Sequence, residues 1–233
     1  MTNFREFSKI PRLTRECVVT EKIDGTNASV FIGEDGEFLT GSRTRWITPS
    51  DDNFGFSKWA HDHKDELLML GPGHHFGEWW GVGIQRNYGL SERRFSLFNV
   101  SRWFNLHQTI GMRAPQFQES PVPFAPSCCH VVPVLYSGVF HTNEIEAVLT
   151  GLRCNGSLAA PGFANPEGIV VYHVAGGHYY KKTCEHDDEP KNAHVKKERP
   201  PQKVRLKPEG IMWTGGRRKG ATLGYAGLER RQG

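Results

Sequence analysis

Apolar and β-branched residues fall in short runs broken by glycine-rich turns. Residues 17–22 form such a run and predict a strand. Residues 27–32 alternate in places and lead into Gly33-Glu34-Asp35-Gly36, where the Asp-Gly pair signals a hairpin with 37–40 as the return strand. Residues 57–70 carry Trp59, Ala60, Leu67, Leu68 and Leu70 at helical spacing and end at Gly71-Pro72-Gly73, which predicts one helix. Residues 75–80, 94–100 and 130–136 read as further strands. Thr142 or Asn143 is placed to cap a helix with Ile145, Val148, Leu149 and Leu152 on its apolar side. Residues 169–174 and 178–182 predict a last hairpin across Ala175-Gly176-Gly177. Strands dominate and helices intervene irregularly, so the fold class is α+β with antiparallel sheets rather than alternating βαβ. After Asp187 the pattern changes to Pro190, Pro200, Pro201 and Pro208 among clustered charges. This predicts a domain over residues 1–185 and an extension over 186–233.

Composition narrows the class. With 37% hydrophobic and 23% charged residues, the 233-residue chain is that of a folded protein. No run approaches the roughly 18–20 apolar residues of a membrane span, and residues 1–15 carry charge without the apolar stretch of a signal peptide. Five cysteines, odd in number and without a CxxC, predict a reduced, cytoplasmic setting and no disulfide framework. The net charge of +4 is uneven: residues 186–233 hold twelve Lys and Arg against six Asp and Glu. A basic extension on a near-neutral body suggests a polyanionic partner, nucleic acid first, although a solvated tail has the same composition. The oligomeric state is not legible.

No GxxxxGK[ST] and no GxGxxG after a strand is present, so a nucleotide would have to be held by other means. The informative segment is Glu21-Lys22-Ile23-Asp24-Gly25-Thr26-Asn27. It sets a lysine between a strand end and a glycine turn, two residues before an acid. A lysine amine is a nucleophile only when neutral, a state that burial and neighbouring cations favour, and Gly25 lets the backbone turn tightly beside a ligand. Alone, this segment is more often an ordinary turn with an exposed lysine.

Further segments follow in order: Phe76-Gly77-Glu78-Trp79-Trp80-Gly81, Arg93-Arg94-Phe95-Ser96-Leu97-Phe98-Asn99-Val100, Pro166-Glu167-Gly168-Ile169-Val170-Val171 and Tyr179-Tyr180-Lys181-Lys182-Thr183. Over roughly residues 17–190 they closely resemble the covalent nucleotidyltransferases, the superfamily of ligases and capping enzymes. Within it they look most like the RNA ligase family of phage RNA-repair and editing ligases. The resemblance implies an antiparallel-sheet nucleotidyltransferase core, ATP-grasp-like in the manner of ligase adenylation domains, with a short basic C-terminal extension. It implies an ATP-dependent RNA ligase that uses Mg²⁺ and joins RNA ends through a lysyl–AMP. Lys22 matches the nucleophile, and Asp24 and Gly25 complete its motif. Glu21 matches a position beside the adenine, and Arg43 one that contacts the ribose or terminal nucleotide. Glu78 matches the acid on the ribose hydroxyls, and Phe98 the aromatic stacked on adenine. Glu167 matches the acid that assists metal binding and lysine activation, and Lys181 the lysine on the α-phosphate.

Phosphoryl transfer needs a positioned nucleophile and cations on the phosphate oxygens, which Lys181 and Mg²⁺ would supply. Where the superfamily often has a second lysine, this chain has Thr183. Lys182 is one residue off and on a strand faces the other way, so Lys181 is preferred and the second phosphate contact stays open. Competing readings are a DNA ligase, a capping-type enzyme, and a catalytically silent nucleic-acid-binding module. The pairs His61/His63 and His74/His75, and Cys128-Cys129-His130, lack the partners of a zinc site. One of Trp79 and Trp80 is expected in the core, and core packing is the commoner role for Trp46, Trp59, Trp103 and Trp213. Arg86 and Arg93 are open between phosphate contact and solvation.

Overall fold

The alternation of apolar and polar residues resolves into two sheets between which the chain crosses twice. The computed structural model describes residues 6–10, 16–103, 123–185 and 187, all within a unit spanning Met1–Lys191. The expected boundary at 185/186 is therefore not tested, and the basic extension apart from Asp187 lies outside the described residues, as does Trp213. In chain order the elements are β1 (Glu16–Lys22), β2 (Thr26–Ile32), β3 (Phe38–Gly41), β4 (Trp46–Ile47), α1 (Phe56–Asp62), α2 (Lys64–Leu68), β5 (Gly73–Gly81), β6 (Arg93–Leu97), β7 (Cys129–Val131), β8 (Val134–Val139), α3 (Thr142–Asn155), β9 (Gly168–His173) and β10 (His178–Thr183). One sheet has the order β10-β9-β1-β8, the other β4-β3-β2-β5-β6-β7. Every pairing is antiparallel except that of β6 with β7. The fold is mixed α and β with antiparallel-rich sheets. Among the described residues no helix is long and apolar enough to cross a membrane.

Each sheet buries one face against helix. On the smaller sheet Cys17, Val19, Ile169 and Val171 pack against Ile145, Leu149 and Leu152 of α3. On the larger, Ala28, Val30, Ile32, Trp79, Phe95 and Leu97 pack against Phe56, Ala60 and Leu67 of α1 and α2. A third cluster, Ile23, Trp80, Tyr88, Val132 and Ala160, fills the seam where the two chain crossings, 22–26 and 131–134, run from one sheet to the other.

Four expectations are corrected. The helix over 57–70 is two short helices joined at His63, whose φ is −111°; its ring Nδ1 competes for the Trp59 carbonyl at 2.8 Å. The strand over 130–136 is split between sheets at Val132-Pro133. Proline has no N–H for a ladder, and here its carbonyl accepts the Glu21 N–H at 2.9 Å. The cap of α3 is His141, without a side-chain hydrogen bond, because the helix begins at Thr142 itself. Trp79 and Trp80 are both buried, one in the helix-covered core and one in the seam.

Candidate active site

The first crossing carries the lysine motif. Along β1, Cys17, Val19 and Glu21 are buried and the residues between them are not, so Lys22 lies on the face turned away from α3. Its Nζ donates to Glu167 Oε2 at 2.5 Å, with Glu167 only 2% exposed. Glu167 is held there because Gly168, the next residue, pairs directly with Lys22 across the β1–β9 ladder, and because the Glu167 carbonyl accepts the Cys184 N–H at 2.8 Å.

The turn after Lys22 is clamped from three sides. The Asp24 N–H donates to the Tyr88 hydroxyl at 2.8 Å, Arg86 Nε reaches Asp24 Oδ2 at 3.1 Å, and the Gly25 N–H donates to Glu78 Oε1 at 3.0 Å. A Cβ on Gly25 would stand 2.5 Å from the Trp79 carbonyl oxygen and 2.7 Å from Trp80 Cβ, so only glycine lets the turn pass against β5. Glu78 also accepts from Asn27 Nδ2 at 3.3 Å. Burial raises its carboxyl to about 7; nearby Glu167 and Asp24 push the same way, while Lys22 and the Gly25 N–H pull it down. Burial likewise holds the Tyr88 phenol well above its ordinary value, which keeps it a neutral partner for the Asp24 amide. Tyr88 sits in a segment where Gln85, Asn87 and Tyr88 all have positive φ. Such backbone persists when its surroundings over-determine it, and here Tyr88 packs edge-on against Trp80 and against Phe163.

Ladder register sorts the two lysines of β10. Thr183, Gly168 and Lys22 form one row across three strands, and Lys181, Val170 and Thr20 the next row on that face. Lys181 is thus exposed on the Lys22 side, two strand spacings across and two residues along, about 12 Å between backbones. Lys182 belongs to the opposite face, where it pairs with Glu146 of α3. Thr183, in the second-lysine position, is in the Lys22 row; its N–H and hydroxyl both donate to Asp187.

Glu21 turns to the other side of β1. Its carboxylate, 1% exposed, faces away from Lys22 and accepts from Ser157 Oγ at 2.5 Å, the Leu158 N–H at 2.8 Å and the Ala159 N–H at 2.9 Å. Burial raises this carboxyl and the three donors counter it. The side chain holds the 157–160 loop under the seam. Phe98 lies just past β6, half-exposed, with its N–H on the Phe76 carbonyl at 2.9 Å. Arg43 is exposed in the β3–β4 turn, at the end of the larger sheet where Asn27 pairs with Glu78.

The profile of the family described as RNA ligase matches residues 15–190. The chain belongs to the RNA ligase family. No match was found among curated proteins. Solved structures similar to this chain include a Naegleria gruberi RNA ligase mutant without ligand, at 21% identity and TM-score 0.47, covering 72% of this chain and 49% of that one. A second mutant of Naegleria gruberi RNA ligase, solved with AMP and Mn, matches at 20% identity, 0.47, 72% and 49%. Naegleria gruberi RNA ligase with PPi matches at 18%, 0.47, 75% and 52%. The chain spans about half the length of these structures.

In this family member, the residues expected at the site that gather at the seam are Lys22, Asp24, Gly25, Glu78 and Glu167. Phe98, Lys181 and Arg43 border it. Sequence reading missed the Tyr88 clamp, which sits in a loop without any motif, and the Ser157–Ala160 loop. It left Arg86 open; the guanidinium is taken up by Asp24 and the Asn165 carbonyl. Arg93 is taken up by the Val82 and Phe54 carbonyls. Among the described residues no group of three or more His, Cys, Asp or Glu could hold a metal by itself.

Proposed function

We propose that the protein is an ATP-dependent RNA ligase with a nucleotidyltransferase core, and that Lys22 carries the AMP. The observation that carries this reading is the seam itself: an amine at the end of β1 held by Glu167, facing a buried carboxylate, Glu78, across a turn clamped by Tyr88 and Arg86.

In the first step neutral Lys22 Nζ attacks the α-phosphorus of ATP, the bond to the bridging oxygen breaks, pyrophosphate leaves and the nitrogen loses a proton. An ammonium paired with Glu167 cannot attack, so nucleotide binding must draw the two apart. Glu78 would accept from the ribose hydroxyls, Phe98 would stack on the adenine, Lys181 would neutralise α-phosphate charge, and Arg43 would contact the terminal nucleotide. Glu21 supports the pocket from beneath through the 157–160 loop. Mg²⁺, when bound, would supply further neutralisation of the phosphate oxygens, with Glu167 as the carboxylate that holds it. A single hard oxygen ligand supplemented by phosphates and water suits that ion. In the second step an RNA 5′-phosphate oxygen attacks the AMP phosphorus, the N–P bond breaks and Lys22 regains its proton. An RNA 3′-hydroxyl then attacks the 5′-phosphorus and gives up its proton, the phosphoanhydride bond breaks, and AMP leaves. The basic residues of 186–233, among them Lys196, Lys197, Arg199, Arg217 and Arg218, would grip RNA phosphates.

Mass spectrometry after incubation with ATP and Mg²⁺ tests the first step. The expected product is an AMP adduct on Lys22, absent from Lys22→Ala and from Lys22→Arg. Arginine retains a cation for Glu167 but is not a nucleophile, so loss of the adduct in that variant is chemical rather than structural. A wild-type chain that takes label from GTP and not ATP would instead support capping, and preference for nicked DNA a DNA ligase.

A further inference from the structure

Beyond Phe98, the larger sheet presents an aromatic face that the proposed chemistry does not use. One row of its ladder runs Trp46–Gly41–Ser29–Phe76, and Phe98 follows through its backbone bond to Phe76. The next row pairs Phe31 with His74. Trp46 is 50% exposed, Phe76 58% and Phe98 39%. The rings are not scattered. Trp46 and His74 lie 6.0 Å apart at 22°, His74 and Phe76 5.7 Å apart at 8°, and Phe31 is 4.5 Å from His74. Glycine at 41 makes room for this, since a Cβ there would meet the Trp46 ring at 3.3 Å.

We infer that this face is a platform on which unpaired bases of an RNA strand stack as its end enters the seam. The inference rests on the ligase reading and adds a binding surface to it. Three observations favour bases over a protein partner. The face continues directly from Phe98, the ring proposed for adenine, so a strand delivered to Lys22 passes along it. Three of its rings, Trp46, His74 and Phe76, lie nearly parallel while Phe31 is tilted by 42° to His74, and such a run suits flat ligands with two π-faces and no fixed hydrogen-bond pattern. The turn that leads into Trp46 carries Arg43 and Arg45; Arg45 is paired with Asp51, and Arg43 is exposed toward the site end of the sheet. Cations beside stacked rings are the combination that holds single strands.

The test uses the full chain and a 12-nucleotide single-stranded RNA with a 3′-hydroxyl. Trp46→Ala/His74→Ala spares Phe76, which borders Phe98. Its Kd for the RNA is expected to rise about 10- to 100-fold, with the slope of log K against log salt unchanged, because no phosphate contact is removed. Trp46→Phe keeps a ring and is expected to bind within about threefold of wild type, while losing the part of the RNA-induced quenching that Trp46 contributes. Formation of the AMP adduct from ATP alone stays at the wild-type level in both variants. Wild-type RNA affinity in the double variant overturns the platform, as does a shallower salt slope, a loss of adduct formation from ATP alone, or a wild-type protein that does not bind the RNA. A wild-type dimer that the double variant breaks without a change in RNA affinity overturns it too, in favour of self-association. A wild-type chain that binds RNA through this face and never takes AMP refutes the ligase reading and leaves the platform standing.

Discussion

Glu78→Gln separates the electrostatics of the seam from its packing. The buried carboxyl is raised to about 7 from an ordinary 4.5. The folded state therefore binds more protons than the unfolded state between those values, and stability falls as pH rises through that window. The stabilisation is fully present below about 4.5 and lost above about 7. A tenfold difference in proton affinity between the two states is worth about 1.4 kcal/mol, so the change across the window is roughly 3 kcal/mol. Glutamine cannot ionise, so its stability lacks this slope. It still accepts from the Gly25 N–H but cannot also accept from Asn27 Nδ2, a constant loss of about 1 kcal/mol. Urea unfolding at a series of pH values from 4.5 to 8 gives both quantities. At pH 4.5 the variant is expected to be the less stable by about 1 kcal/mol. At pH 8 it is expected to be the more stable by about 2 kcal/mol. A difference that stays flat within about 0.5 kcal/mol across the series, where roughly 3 is expected, refutes the assignment of a desolvated acid to this position.

The two lysines of β10 should separate cleanly: Lys181→Ala lowers the rate of AMP-adduct formation at least about tenfold, whereas Lys182→Ala, which removes only a surface pair with Glu146, leaves it within about twofold. Equal losses in the two variants would contradict the register argument. Glu21→Ala strips the partner from Ser157 Oγ and from the Leu158 and Ala159 N–H groups; unfolding should show a loss of about 2–4 kcal/mol, since orphaned buried donors are costly. Tyr88→Phe keeps the ring against Trp80 and deletes the acceptor of the Asp24 amide. A loss of about 1 kcal/mol is expected by denaturation, and ATP titration should show weaker binding; unchanged stability and unchanged affinity together would remove the clamp from the account.

Much of the sheet was legible because alternation reports which face of a strand is buried. In β1 it places Cys17 and Val19 on the core face, and the same parity puts Glu21 there and Lys22 opposite. Register also resolved Lys181 from Lys182, which strand periodicity had already separated in principle. What sequence could not supply was context across the chain. Pro133 alone does not say that a strand will change sheets; that depends on the Glu21 N–H waiting for its carbonyl. The helix break at His63 lies in its backbone, at φ −111°, and no turn residue there announces it. Tyr88 and Arg86 act on Asp24 from more than 60 positions away in the chain, in a loop whose positive φ angles no motif announces. Trp46 stays exposed because β4 is an edge strand and its neighbour on β3 is glycine.

Glu21 and Lys22 are consecutive and point to opposite sides of one strand. A deletion of one residue within 17–20 would exchange their environments, sending an ammonium toward α3 and a carboxylate into the nucleotide's path, even if every other residue of the protein were untouched. The reading frame of β1 against its neighbours is thus a property on which selection can act independently of residue identity. Conservative substitutions at Val18 or Thr20 should be tolerated where length changes are not, so the spacing between Cys17 and Lys22 is itself part of the catalytic apparatus proposed for this chain.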